Sequence, residues 1–496
     1  MSLVFFSFTG VFLLFALSLK ILRSSPWCSC EVCSTYASAS WTAEFDNLCD
    51  WYAHLLRSSP TRTIHIHILR NTITANPDNV EYMLKTKFDN FPKGKHFSTI
   101  LGDLLGGGIF NVDGESWRFQ RKMASLELGS NSVRSYAARI VASEVRDRLL
   151  PLLSSVADSG GVVDLQDVFR RFAFESISKI SFGLDPGCLE LSVPMTEFSA
   201  AFDVASRLSA RRATATFTAT WKLKRLFNWG SERELRSAIQ LVNVLAEEVI
   251  RQRRKLGFTE NHDLLSRFMG SVNDDKYLRD IVISFLLAGR DTVASGLTSF
   301  FFELSKSPRA QAAMLDEINR VMGSSSAEEV ASYEQLREMQ YVHAALYESM
   351  RLYPPVQFDS KFCVEDDVLP DGTFVGKNTR VTYHPYAMGR MDDVWGADCE
   401  EFRPERWLRD GVFTSENPFK YPVFQAGLRV CLGKEMALME MKTVIVSILR
   451  SFDINAIHSA TPPKFAPGLT ASLAAGLLAR VRRRSDGSPT INVCTS

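Results

Sequence analysis

Phe424-Gln-Ala-Gly-Leu-Arg-Val-Cys-Leu-Gly433, close to the C-terminus, holds one cysteine between two glycines. Gly427 and Gly433 let a backbone turn and approach closely where a side chain would collide. Helical spacing resumes at once in Glu435-Met-Ala-Leu-Met-Glu-Met-Lys442. Cys431 therefore lies at a helix N-terminus, where the dipole favours a thiolate. Arg429, two residues before it, adds a cation beside an acidic or anionic cofactor. The stretch reads as a thiolate held in a tight loop and aimed at a metal. A buried free cysteine ahead of a helix is the plainer alternative, and five fixed positions falling together weigh against it.

Working upstream, Phe402-Arg-Pro-Glu-Arg-Trp407 precedes the loop. Before that, a helix over His343–Tyr353 is ended by Pro354-Pro355. It holds Glu348-Ser-Met-Arg351, which on its own is an ordinary helix pair. A long apolar helix runs from Asp280 to Lys306 and stops at Ser307-Pro308. Ala288-Gly-Arg-Asp-Thr292 interrupts its middle. A glycine, two charges and a β-branched residue there cost stability, and such a local breach is expected at a functional site. Gly289 leaves room for a small ligand. Thr292 can draw backbone carbonyls off their regular pattern and open a bulge.

Val133 to about Gly257 reads as mostly amphipathic helix. Within it, Ser206–Lys224 interleaves Arg207, Arg211, Arg212, Lys222 and Lys224 with aromatics. That is a solvated basic face or a lid meeting a membrane or an anionic substrate. Phe91–Gly114, with Pro92, Gly106-Gly107-Gly108 and Asp113-Gly114, reads as loop. Trp117 and Arg121, four apart, share one face of a basic helix that also carries Arg118 and Lys122. Arg62–Ala75 reads as a hairpin turning at Arg70-Asn71. Its His65 and His67 share a face, the commoner meaning being a solvated strand and the rarer a metal pair.

A 496-residue chain that is 46% hydrophobic suits a large buried core, and its net charge of +1 gives no sign of a nucleic-acid partner. Nine scattered cysteines are too few for a disulfide scaffold and point to a reducing compartment. Leu3–Leu19 is almost wholly apolar, with Lys20 and Arg23 following. With its neighbours it approaches the roughly 20 residues that span a bilayer. Positive charge after the segment leaves the body cytosolic. A cleaved signal peptide competes, but lacks its early basic region. Cys28, Cys30 and Cys33 crowd just beyond. They suit ordinary thiols, acylation, or zinc if Cys49 served as an oddly spaced fourth ligand.

At the Cys431 loop the chain resembles the haem-thiolate monooxygenases of the cytochrome P450 family. The remaining motifs follow the family's order across nearly the whole chain. The resemblance implies a mainly α fold with a small β region, with residues 1–23 as membrane anchor, 24–60 as linker and start of the catalytic body, and 61–496 as monooxygenase domain. It implies haem b, with Cys431 as axial iron ligand and Phe424, Gly427 and Arg429 in the cofactor loop. Trp117, Arg121 and Lys361 would meet haem propionates, although Lys361 stands where the family often has arginine. Asp291 and Thr292 would relay protons to the oxygen substrate. Glu348, Arg351 and Arg406 would form a buried bracing network.

No flavin or nicotinamide motif is present, so electrons would come from NADPH through a separate cytochrome reductase, docked on the basic face of Arg118, Lys122 and Lys434. Such an enzyme would sit in the endoplasmic reticulum membrane by a single pass. Two other classes compete. A haem carrier needs no proton relay, and a peroxide isomerase commonly loses the threonine and alters the cysteine loop.

Phe97, Phe285, Leu286, Val356, Phe358, Leu469 and Leu473 would line an apolar pocket. Pro354-Pro-Val-Gln-Phe-Asp-Ser-Lys361 and Tyr383-His-Pro-Tyr-Ala-Met-Gly-Arg390 resemble the plant fatty-acid ω-hydroxylase clan, most of all family 94, subfamily C. That likeness implies oxidation of the terminal carbon of jasmonoyl-isoleucine, with fatty-acid ω-hydroxylation as the alternative. Both substrates pair a carboxylate with an apolar tail. Arg207, Arg211 and Arg212 are the candidates to hold that carboxylate, against a plain solvated patch.

Overall fold

The structure, a computed structural model, describes residue 28 and residues 30–484, apart from 190–196, 216–217, 257–262, 324–325, 327–328 and 458–461. The expected anchor, residues 1–23, lies outside these. Helices dominate the described residues, and the β structure is confined to small sheets.

The centre is a crossing of helices Leu165–Phe182, Gln340–Leu352 and Lys434–Ser451 against the run Asp275–Leu304. Val293, Leu297, Phe300, Phe301 and Leu304 of that run are buried, and Phe301 stacks on Phe169 at 5.3 Å between ring centres. Each such side chain contributes about 1.5–3 kcal/mol relative to exposure. The run is apolar enough to cross a bilayer, but 67% of its apolar window is buried inside the protein, which makes it a core helix. The Asp274 carboxylate caps its start by accepting from the Lys276 N–H. Pro308 opens the next helix and fixes its end.

The run is not regular throughout. Leu287–Asp291 forms a π-turn, and the Thr292 hydroxyl donates to the Ala288 carbonyl at 2.5 Å. This is the bulge that a threonine four residues after Ala288 invites.

A four-stranded sheet lies beside the helical core in the order Thr63–Ile66, Asn71–Thr74, Arg380–Tyr383, Asp359–Phe362. Asn71–Thr74 runs parallel to Arg380–Tyr383, and the other pairings are antiparallel. The hairpin turn is wider than Arg70-Asn71, because a short 3₁₀ turn at His67–Leu69 intervenes and Arg70 takes a left-handed φ of 48°. His65 and His67 stack on its exposed face.

The Phe91–Gly114 region is not loop throughout, since Gly94–Leu105 is helical. Leu101, Leu104 and Leu105 recur at helical spacing and are buried, and that apolar face outweighs the glycines around it. Helices Glu31–Ser38 and Leu48–Ser58 bury Tyr36, Trp51, Tyr52 and Leu56 in the same cluster as the sheet residues Ile66, Ile73 and Val381. Packing against the sheet therefore includes residues as early as the helix Glu31–Ser38.

Candidate functional site

A cavity of about 750 Å³ lies between the Cys431 loop, the π-turn and the four-stranded sheet. Its size is in the upper part of the range for small-molecule sites. Cys431 opens onto it, and the Cys431 N–H donates to the Phe424 carbonyl at 2.8 Å, closing the loop just ahead of helix Lys434–Ser451. Gly427 has a φ of 60°, and a side chain there would collide with the Leu84 carbonyl oxygen. It therefore seats the loop against the neighbouring segment and does not itself line the cavity. Although Cys431 is exposed to the cavity, desolvation by the surrounding protein pushes its thiol above its ordinary value, while the Gly433 N–H, Arg121 and Lys434 pull it down. A sulfur in this setting is made a lasting thiolate by giving its proton up to a metal.

The charges around the sulfur test whether an iron porphyrin fits. Arg121 lines the cavity with no carboxylate partner and no hydrogen bond among the described residues. Arg429 also lines it; Asp113 Oδ1 holds its Nη2 at 2.6 Å, while its Nε is buried and unpartnered. One sulfur and two arginines with donors to spare suit an iron and two propionates. Phe424 lines the cavity beside them.

Two of the expected propionate partners stand elsewhere. Trp117 lies off the cavity wall, with the Arg429 guanidinium over its ring at 4.6 Å. It is placed to orient Arg429. Lys361 is fully buried and off the cavity, its ammonium turned back onto Asp359, while Asp359, Ser360 and Phe362 line the wall. Its ammonium donates to Asp359 Oδ2 at 2.7 Å, and Lys93 takes Oδ1 at 2.6 Å. Burial works to raise the Asp359 carboxyl, but Lys361 and Lys93 together hold it well below the usual carboxylate range. Burial also draws Lys361 down to about 7, against the attraction of Asp359.

On the facing side, Thr292 and Ala288 line the cavity. Asp291 does not. It pairs with Arg290 at 3.1 Å, and Arg290 is itself buried and bonded to Asp203 and Ser199 of helix Glu197–Thr214. Burial raises the Asp291 carboxyl despite Arg290, bringing its proton affinity closer to neutral pH. Gly289 lines the cavity as well, and a side chain there would collide with Ile177. The missing side chain lets this helix approach Leu165–Phe182 closely.

Phe97, Phe285, Val356, Phe358 and Leu469 line the cavity. Leu286 and Leu473 do not. The Gln166 side chain pins Leu473 at both backbone atoms, donating to its carbonyl at 3.0 Å and accepting its N–H at 2.7 Å. That turns the Leu473 side chain toward the central core. Lys93, Gln357, Asp359, Arg380 and Gln425 line the cavity without having been singled out from sequence. Only the two-residue spacing of Asp359 and Lys361 offered a local signal.

Behind the loop, the Arg351 guanidinium donates twice to Glu348, at 2.8 Å each, and both residues are fully buried. Arg406 Nε at 3.3 Å, Trp407 Nε1 at 2.9 Å and the Arg403 N–H at 3.0 Å converge on the same carboxylate. Near the N-terminus, the sulfurs of Cys28, Cys30 and Cys33 lie within 4.8 Å of one another, and Cys49 does not join them.

The cytochrome P450 family model matches residues 46–476. Cytochrome P450 94C1 of Arabidopsis thaliana is 58% identical over 490 residues, 98% of this chain and 99% of its own. Cytochrome P450 94B3 of the same plant is 49% identical, with 88% of each chain covered. Cytochrome P450 94A1 of Vicia sativa is 42% identical, with 88% of this chain and 86% of its own covered.

Proposed function

Because this chain belongs to the cytochrome P450 family, and is therefore a haem monooxygenase fed with electrons by a reductase, we propose that it oxidises the terminal carbon of jasmonoyl-isoleucine. The first step consumes the substrate, dioxygen, two electrons and two protons, and yields the alcohol and water. Further rounds at the same carbon give the aldehyde and the acid. Bound haem b, with a thiolate ligand, supplies the oxidising power that cleaves dioxygen and attacks an unactivated C–H bond. In this reading NADPH is the electron source, and an anchor in the endoplasmic reticulum membrane keeps the body in the cytosol.

Cys431 would hold the iron, with Arg121 and Arg429 holding the propionates. Lys434 sits over the Tyr347 and Phe424 rings beside the loop. With Arg118 and Lys122, both exposed, it forms the dock for an acidic reductase. A primary C–H bond is stronger than its secondary neighbours, so the walls must admit only the tail end. Phe285, Val356 and Phe358 form that constriction.

The observation that favours the conjugate over a plain fatty acid is Gln357. It lines the cavity with a buried, unpartnered Nε2, and that amide suits the amide carbonyl of an amino-acid conjugate. A fatty acid would leave it idle. In competition assays the purified enzyme with reductase should consume jasmonoyl-isoleucine at a higher kcat/KM than dodecanoic acid. A preference for the fatty acid would make ω-hydroxylation of fatty acids the reading instead.

Thr292 would hold and pass the proton needed at the oxygen substrate, with Asp291 and Arg290 as the route behind it. Thr292→Ala should keep haem and substrate binding while product formed per NADPH falls about tenfold or more, the missing electrons appearing as hydrogen peroxide. Unchanged coupling would remove Thr292 from the relay.

A further inference from the structure

The three arginines offered by the sequence for the substrate carboxylate are not available at the cavity. Arg212 is buried, with Asp103 at 2.8 Å and Glu232 at 2.5 Å taking its guanidinium. Arg207 is exposed and paired with Glu234 at 3.4 Å, and Arg211 is exposed. None of the three lines the cavity.

Arg380 does. It opens a central strand of the four-stranded sheet, between Asn71–Thr74 and Asp359–Phe362. Its Nε donates to the Ser360 hydroxyl and its Nη1 to the Ala213 carbonyl, each at 2.9 Å. Both acceptors are neutral. Among the described residues, Nη2 makes no hydrogen bond and no carboxylate forms an ion pair with this guanidinium. The nearby Asp359 is already shared by Lys361 and Lys93. Desolvation pulls Arg380 below the ordinary arginine value, while the Tyr52 and Tyr36 hydroxyls and Asp359 only partly offset it. A cation held this way on a cavity wall lacks an anion.

Its position also fits a substrate head. Arg380 stands in register with Phe362, at the far end of the strand that begins just after Val356 and Phe358. Six residue steps of chain lead from Val356 to Phe362, at most about 20 Å. The constriction and the guanidinium can therefore engage opposite ends of one elongated molecule. Arg121 and Arg429 stand on the Cys431 side of the cavity and suit the propionates.

We propose that Arg380 is the counter-ion for the carboxylate of a hydrophobic carboxylic acid that enters tail first, with Ser360 and Ala213 holding its guanidinium in place. This rests on the reading of the substrate as a carboxylate with an apolar tail. Arg380 is thereby a specificity residue that fixes how deep the tail reaches.

The test is optical titration of the full-length haem-loaded protein with jasmonoyl-isoleucine and with its methyl ester. The wild type should bind the acid at least about tenfold tighter than the ester, as a buried charge-assisted pair requires. Arg380→Gln should lose that preference, with affinity for the acid falling about tenfold or more and affinity for the ester staying within about twofold. Arg380→Lys, which keeps the charge but not the fork, should fall between the two. If the glutamine variant does not hold haem, the lysine variant carries the test through the same acid-to-ester ratio. A ratio unchanged from wild type, or equal loss for acid and ester, would overturn the assignment. A wild type that binds acid and ester alike would instead overturn the carboxylate reading itself.

Discussion

Cys431→Ser should abolish the thiolate-type spectrum of the reduced carbon monoxide complex and, with it, monooxygenase turnover. A serine hydroxyl keeps its proton under conditions where a metal strips a thiol, and oxygen is a poorer donor to iron than sulfur. The Phe424 carbonyl, the Gly427 turn and helix Lys434–Ser451 leave the loop's shape to the backbone, so the variant should still fold. The companion protein with Cys28, Cys30 and Cys33 all changed to Ser should keep the wild-type spectrum. Those sulfurs lie together near the N-terminus and off the cavity wall. Loss of haem in the triple variant would show that the cluster does more than house ordinary thiols.

The second large effect falls on stability. Glu348→Ala removes the acceptor of five hydrogen bonds, two from Arg351 and one each from Arg406, Trp407 and the Arg403 N–H. Arg351 is then left fully buried without a counter-ion. Removing one partner of such a pair costs about 3–5 kcal/mol, a large share of the roughly 5–15 kcal/mol that holds a typical domain together. Expression with haem incorporated should collapse, and the apparent melting temperature of any surviving protein should drop sharply. Glu348→Gln, which keeps the shape and part of the bonding, should lose less. Equal thermal stability of wild type and Glu348→Ala would show that the brace contributes nothing to the fold.

What was legible in the sequence was local. The Cys431 loop and the bulge at Thr292 depend on neighbours a few residues apart and carry residue types their settings would otherwise exclude, whereas the Glu348–Arg351 pair took its meaning only from its place in the order of motifs. The helix Gly94–Leu105 was missed because its glycines and Pro92 are conspicuous, while its three buried leucines pay off only against distant helices. Lys361 and Trp117 were placed by motif position, which does not show which way a strand residue points or what a ring is stacked beneath. Arg212 looked free because Asp103 and Glu232 lie far from it in sequence. Arg380 was overlooked for the converse reason: nothing near it in the chain reveals a cation without a carboxylate. Charge balance around a cavity belongs to the fold.

The central claim is that this haem monooxygenase inserts oxygen at the terminal carbon of a carboxylate-bearing apolar substrate. Turnover of jasmonoyl-isoleucine with reductase, NADPH and isotopically labelled dioxygen, read by mass spectrometry with fragment assignment, tests it most directly. The account predicts an alcohol carrying one labelled oxygen on the terminal carbon, followed by its aldehyde and acid. Label on an interior carbon, or product whose oxygen comes from water, would contradict it.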